Sequence, residues 1–428
     1  MYCGYITTIK EIRKHSNADR LQCATIFGSN VIVDLTYHEG QRVVYFPIDG
    51  QLSEEFCEDN NLVRKKDENG NEIGGYMDPV KRNIKAIRLR GEMSDGLVLP
   101  IEVLDKYTDS TKLCDGDQIT VLDGHEICKK YVPKRNPPKT SGGKKQKKKA
   151  KAVEFPLFFE HSDTAQLMYN QNAFKPGDVC YITLKIHGTS ARTSNTIKVT
   201  EKQPNRIARF FGVKPKQIKE YDYVSGTRRV VLDNFEGGYY GNDEFRKVYH
   251  EFLKNKLPKM VTLYYEIAGY VNKDTPIMGR VSNKKVNDKE FRRIYGDETV
   301  FSYGCEPGEN DIWAYRMTIT NEDGFVVEIP YEQMQIECEK MGVKVVPLFE
   351  KFIFTTWEDL MERVEKYYDG PDPIDPRHVR EGVVVRIANS TKGFEAYKHK
   401  NDSFKILSGI IKDSVNADEA SADILEEL

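Results

Sequence analysis

Lys185 ends the stretch CYITLK, residues 180–185, and Ile-His-Gly-Thr-Ser follows at once. Cys180, Ile182, Leu184 and Ile186 alternate as one apolar strand face, so Tyr181, Thr183 and Lys185 point the other way. A lysine at the end of a half-buried strand, just before a turn, raises the question of what chemistry its amine could do. Its ammonium, with a reference pKa of about 10.4, does not attack at neutral pH. Lowering that value by about three units costs about 4 kcal/mol, and partial burial beside other cations supplies such a shift.

Further cations stand in FEAYKHKNDSFK, residues 394–405, where Lys398 and Lys400 share a strand face with Phe394 and Ala396. Such a pair suits an α-phosphate, and equally suits an exposed edge that resists aggregation. Two carboxylates follow the same strand logic. In VTLYYEIAG (261–269), Glu266 projects opposite an apolar face of Val261, Leu263, Tyr265 and Ile267. In HVREGVVVRIA (378–388), Glu381 opens an apolar strand directly before Gly382. A carboxylate so placed can accept ribose hydroxyl hydrogen bonds or hold Mg²⁺ through oxygen, although glutamate at a strand end is common. In DIWAYRMTIT (311–320), Tyr315 offers a flat face for stacking. It shares parity with Trp313, Met317 and Ile319, so plain core is an equal reading.

The elements that must position these residues lie in the second part of the chain. VPKRNPPKTSGGKKQKKKAKA, residues 132–152, carries six lysines between Lys144 and Lys151 and has neither helical nor strand periodicity. It reads as a solvated tether or as an arm drawn to phosphates. Around it the chain divides into residues 1–131, a linker at 132–153, residues 154–410 and an acidic tail at 411–428.

The first part reads as short strands. ATIFGSNVIVDL is two runs around a Gly-Ser-Asn turn, and IKAIRLRGEMSDGLVLP is two more, broken at Arg90-Gly91 and Asp95-Gly96. Five or so such strands suit a small closed barrel of the OB type. The second part mixes amphipathic helical stretches, DEFRKVYHEFLKNKL and FTTWEDLMERVEKYY, with strands, which is an α+β pattern with a substantial sheet.

The formal net charge of −2 does not announce a nucleic-acid binder, and no apolar run approaches the roughly 18 residues of a membrane span. Eight scattered cysteines without metal-like spacing, and an N-terminus without signal-peptide features, suggest reduced thiols in a cytoplasmic protein.

Taken in order, Lys-x-His-Gly, Glu-Ile-Ala-Gly, an aromatic strand, Glu-Gly-Val-Val-Val and Lys-x-Lys resemble the covalent nucleotidyltransferase superfamily of DNA ligases, RNA ligases and capping enzymes. His187 stands where the common form has Asp, as in RNA ligases with a Lys-x-His-Gly-Thr core. HSNADRLQCATI and RGEMSDGLVLP resemble the tRNA-binding type of OB domain and the N-terminal domain of one small group of RNA ligases. The whole chain is therefore similar to the ATP-dependent RNA ligases of the Deinococcus and Naegleria type.

That resemblance implies an α+β architecture: an N-terminal OB barrel that binds nucleic acid, then an adenylyltransferase domain of ATP-grasp-like antiparallel sheets with helices. It implies Lys185 as the nucleophile that becomes AMP-lysine, with Lys398, Lys400 and Glu381 catalytic and Glu381 also holding the metal. Glu266, Tyr315, Arg228 (in preference to Arg229, from SGTRRVV), Ile186, His187 and Gly188 would bind the nucleotide, Gly188 by letting backbone approach it. ATP and Mg²⁺ or Mn²⁺ are the implied cofactors. The implied partner is RNA with 5′-phosphate and 3′-hydroxyl ends, in a nicked or broken duplex, met by a monomer away from membranes. Only 28 residues follow Lys400, so nucleic acid would be engaged without the C-terminal OB domain of DNA ligases and capping enzymes. A capping-type enzyme using GTP, a non-catalytic RNA- or tRNA-binding protein and a DNA ligase are the competing readings.

Overall fold

The computed structural model describes residues 2–410 apart from 67–71, 132–152, 162–163, 203, 205–209, 211–213, 233–234, 236–242, 389 and 391–392. The acidic tail, and all of the lysine-rich linker except Val153, thus lie outside the described residues. The chain divides into two compact units. One is drawn from Met1–Pro138, Ser282–Arg293 and Asp402–Leu428, the other from Lys139–Val281 and Ile294–Asn401.

The first unit is built from short antiparallel strands. Gly4–Thr8 pairs with Arg42–Phe46 and Gln118–Ile119, and Leu97–Pro100 pairs with Arg42–Phe46. A second sheet joins Glu11–Lys14, Leu21–Ile26 and Ser29–Asp34. Strands form in the expected stretches, three in 84–100 where two are expected, and Gly4–Thr8 and Glu11–Lys14 add to them. Among the described residues they stay in separate sheets and do not close into a barrel. Ile26 pairs with Ser29, so the turn is Phe27-Gly28, not Gly-Ser-Asn. Both turn residues have positive φ, 49° and 75°, which matches the right-handed twist of a two-residue hairpin. The apolar face closes over a core in which Ile6, Val44, Phe46, Leu52, Phe56 and Leu104 are inaccessible to solvent.

The second unit has two sheets. In the five-stranded one, Val179–Leu184 is flanked by Gly382–Ile387 and Leu348–Ile353, and Glu395–Lys400 pairs with Gly382–Ile387. One face carries Cys180, Ile182, Val383 and Val385 into a core with Leu360 and Val364. Those last two lie four residues apart on the helix Trp357–Glu365, started by Thr356, whose hydroxyl accepts the Asp359 N–H at 3.2 Å. The strand ending at Lys185 is therefore buried on both faces, with Tyr181 and Thr183 only 3% and 8% exposed. The half-buried strand expected from alternation becomes a central one because its second face also lines a cavity.

The seven-stranded sheet centres on Thr189–Lys202, Val261–Gly269 and Asn310–Thr320. The helix Glu244–Leu253 lies within the expected stretch and buries Phe245, Arg246, Tyr249 and Leu253. Among the described residues no helix is long and apolar enough to cross a membrane, and all eight cysteines are free thiols.

Candidate active site

Glu381 is the meeting point. It precedes the strand Gly382–Ile387, and the Asn401 N–H donates to its carbonyl oxygen at 2.9 Å. The Lys185 N–H donates to the Gly382 carbonyl at 3.0 Å, while Gly382 pairs across the sheet with Lys400. This register brings both ammoniums to one carboxylate oxygen: Lys185 Nζ lies 3.1 Å and Lys400 Nζ 3.2 Å from Glu381 Oε1. His187 Nδ1 faces Oε2 at 3.5 Å. Gly382 cannot be replaced cheaply, since its φ is +140° and a Cβ would fall 2.1 Å from the His399 carbonyl oxygen.

Burial alone would raise the Glu381 carboxyl. Lys185 and Lys400, with His187, outweigh it and hold the group well below the usual carboxylate range. Burial pushes the His187 imidazole down, against the pull of Glu381. Lys185 thus has the Glu381 carboxylate as a charged partner, in addition to the cation that the sequence suggested. Lys400 supplies the cation, through the shared oxygen.

Behind this cluster lies a cavity lined by Lys185, Ile186, Arg228, Glu266, Tyr315 and Lys398, among others. Six of the expected residues are thereby brought together, and Glu381, Lys400 and His187 stand at the Lys185 end. Arg229 is exposed and takes no part in the lining, whereas Arg228 is half-buried. Glu266 Oε2 is buried without a hydrogen-bond partner among the described residues. Burial raises its carboxyl to about 7, with Lys185 opposing the shift and Glu381 adding to it.

The parity of Tyr315 is resolved by a bulge. Tyr264 pairs with Arg316 but Tyr265 with Ala314, so Tyr315 is the extra residue of its strand. Trp313 and Met317 are buried, while Tyr315 turns to the cavity and shares a hydrogen bond of 3.1 Å with the Ser190 hydroxyl. Gly188 is also held by a close approach within the protein. A Cβ there would fall 2.5 Å from the Ile267 carbonyl oxygen, so the close approach is to the protein's own Glu266 strand.

Sequence reasoning missed four residues. Tyr303 accepts the His187 N–H on its hydroxyl at 2.6 Å. Arg192, 1% exposed, donates from Nη1 to the carbonyl oxygens of Thr227 (2.8 Å) and Arg228, and so fixes the loop that carries Arg228. His161 and Arg386 line the cavity. Tyr303 and His161 sit in irregular segments whose partners are distant in sequence. Arg386 was legible: it shares parity with Val384 in an otherwise apolar strand.

Among the described residues no three His, Cys, Asp or Glu side chains converge into a metal cage. The set still fits Mg²⁺, which characteristically takes one or two carboxylates and fills its other positions with substrate phosphates and water. Glu381 would be that carboxylate. The uncompensated Glu266 oxygen fits sugar hydroxyl donors.

An OB-fold domain family model matches residues 4–101. No curated protein matches the chain significantly in sequence. Among solved structures, a Naegleria gruberi RNA ligase variant with ATP and Mn aligns at 17% identity and TM-score 0.57, over 96% of this chain and 98% of that one. The same ligase with PPi gives 17% and 0.57, over 94% and 97%. A variant with AMP and Mn gives 16% and 0.56, over 94% and 97%. The chain thus has an OB-fold domain at its N-terminus and shares the fold of that RNA ligase along nearly its whole length.

Proposed function

We propose that this chain is an ATP-dependent RNA ligase that seals a 3′-hydroxyl to a 5′-phosphate at nicks or breaks in duplexes. The observation that carries the reading is the junction of Lys185, Lys400 and Glu381 at the end of a cavity lined by Glu266 and Tyr315.

Lys185 gives up a proton to solvent, and its Nζ attacks the α-phosphorus of ATP. A P–N bond forms as the bond to the pyrophosphate oxygen breaks. Tyr315 would stack on the base and Glu266 would hold the ribose hydroxyls. Lys398, Lys400 and Arg228 would neutralise charge on the phosphate, the electrostatic contribution that usually dominates such transfers. A divalent ion held by Glu381 and phosphate oxygens would add charge neutralisation there. An RNA 5′-phosphate oxygen then attacks the AMP phosphorus and releases Lys185. Attack of the 3′-hydroxyl on the activated 5′-phosphate forms the phosphodiester and expels AMP. The N-terminal OB-fold domain would grip the nucleic acid.

Incubation with α-labelled ATP and Mg²⁺ should label the wild type covalently and leave Lys185→Ala unlabelled. A labelled chain should then join nicked RNA strands bridged by a complement. Labelling by GTP in place of ATP would reassign it to a capping-type enzyme, and absence of labelling to a binding protein.

A further inference from the structure

The sheet beside and beneath the cavity is laid out in three rows. Gly382 pairs with Lys400 beside Lys185, Val384 pairs with both Thr183 and Lys398, and Arg386 pairs with both Tyr181 and Ala396. Phosphate-binding cations therefore occupy the first two rows. Arg386 stands four residues along from Gly382, about 13 Å at about 3.3 Å per residue, which leaves room for a ribose and a base between them.

Arg386 is 7% exposed and lines the cavity, yet its Nη1 has no hydrogen-bond partner among the described residues. Its Nη2 reaches only Glu328 Oε2 and the Ile329 carbonyl oxygen, each at 3.4 Å. Glu328 is mainly engaged elsewhere, since Arg316 Nε lies 3.1 and 3.0 Å from its two oxygens. Two guanidiniums thus share one carboxylate. Both lie over the Phe394 ring, whose centroid is 4.5 Å from Arg316 Cζ and 5.2 Å from Arg386 Cζ. A buried guanidinium donor left without an acceptor is costly, and a ligand that supplies one relieves that cost.

We propose that Arg386 reads the base: its Nη1 donates to a ring-nitrogen acceptor of the purine, making it a specificity-determining residue of the nucleotide pocket. This rests on the nucleotide-binding reading above. Purines carry acceptors at N1, N3 and N7, and a deaza analogue replaces each in turn by C–H without changing shape.

Calorimetric titration of the whole chain in Mg²⁺ buffer compares ATP with 1-deaza-, 3-deaza- and 7-deaza-ATP. One of the three should bind about ten- to a hundredfold more weakly than ATP, the worth of one hydrogen bond to a charged donor. In Arg386→Met that gap should close, with ATP weakened to the level of the analogue. If Arg386→Met does not fold, Arg386→Lys retains the charge beside Glu328 but withdraws the fork, and the gap must shrink there. Equal binding of all three analogues and ATP by the wild type overturns the inference, as does a gap that persists in the variants. Either result alongside covalent labelling at Lys185 leaves the ligase reading standing. Failure of ATP to bind at all overturns both.

Discussion

Lys400 and Lys185 are joined through a single atom: both ammoniums reach Oε1 of Glu381, at 3.2 and 3.1 Å. One buried carboxylate oxygen thus serves two cations, and a surplus of positive charge remains at that end of the cavity. On the proposed reading, an arriving phosphate would complete the balance. The arrangement favours a phosphate-bearing ligand over a neutral one before any catalytic step begins.

Glu381→Gln should expose how much the folded state relies on that carboxylate. Because its folded value is depressed, ionisation contributes stability that is fully present above the unfolded value of about 4.3. That contribution is lost as pH falls toward the folded value. The variant should lose about 1–3 kcal/mol at pH 7, less than for a fully buried pair because the lysines retain some solvent contact. Its stability should also fall less steeply than that of the wild type below about pH 4. Denaturant titrations from pH 2 to 7 check both.

Glu266→Gln should behave in the opposite sense. The folded carboxyl is raised to about 7, so its ionisation is harder in the fold than in the unfolded chain. At low pH both states are protonated and nothing is lost. As pH rises from about 4.3 to about 7 the fold loses up to about 4 kcal/mol, and above that the loss is constant. The variant should therefore gain thermal stability over the wild type at pH 8 and match it at pH 4, while ATP binding weakens. Paired thermal melts and ATP titrations at the two values measure this.

Gly188→Ala meets the Ile267 carbonyl oxygen at 2.5 Å, and a strand backbone has little freedom to retreat. The substitution should destabilise the chain by about 1–3 kcal/mol through overpacking. Covalent labelling should fall more than the fold does, because the turn after Lys185 is displaced. Labelling rates measured well below the melting temperature distinguish the two effects.

Tyr303→Phe deletes one oxygen and leaves the His187 N–H without its acceptor, a cost of about 1–3 kcal/mol for a buried donor. Labelling should slow about tenfold or more while ATP affinity stays within about twofold, since the hydroxyl orients the turn and lies outside the cavity lining. Single-turnover labelling together with calorimetry provides the comparison.

Local chemistry made most of the site legible in sequence. Strand alternation isolated Lys185 and Glu266, and a glutamate before Gly382 marked Glu381. The pairing of Gly382 with Lys400 is a fact of register, and no single strand encodes it. Arg192 and Tyr303 act on backbone groups 35 and 116 residues away, so nothing near them signals their roles. In the first unit several short strands and the Arg90-Gly91 turn were readable, while Gly4–Thr8 and Glu11–Lys14 were not. The Phe27-Gly28 turn was not, because a phenylalanine at positive φ runs against ordinary propensity.

The extra residue at Tyr315 has a consequence for how the protein tolerates change in length. Tyr315 is the only residue between Ala314 and Arg316, so deleting it would restore regular pairing with the Tyr264–Tyr265 segment and remove the aromatic ring from the pocket. The sheet itself would be more regular than before. A deletion there would give a well-folded chain without the proposed stacking ring, so an alignment that places a gap at this point discards the position on which that reading depends.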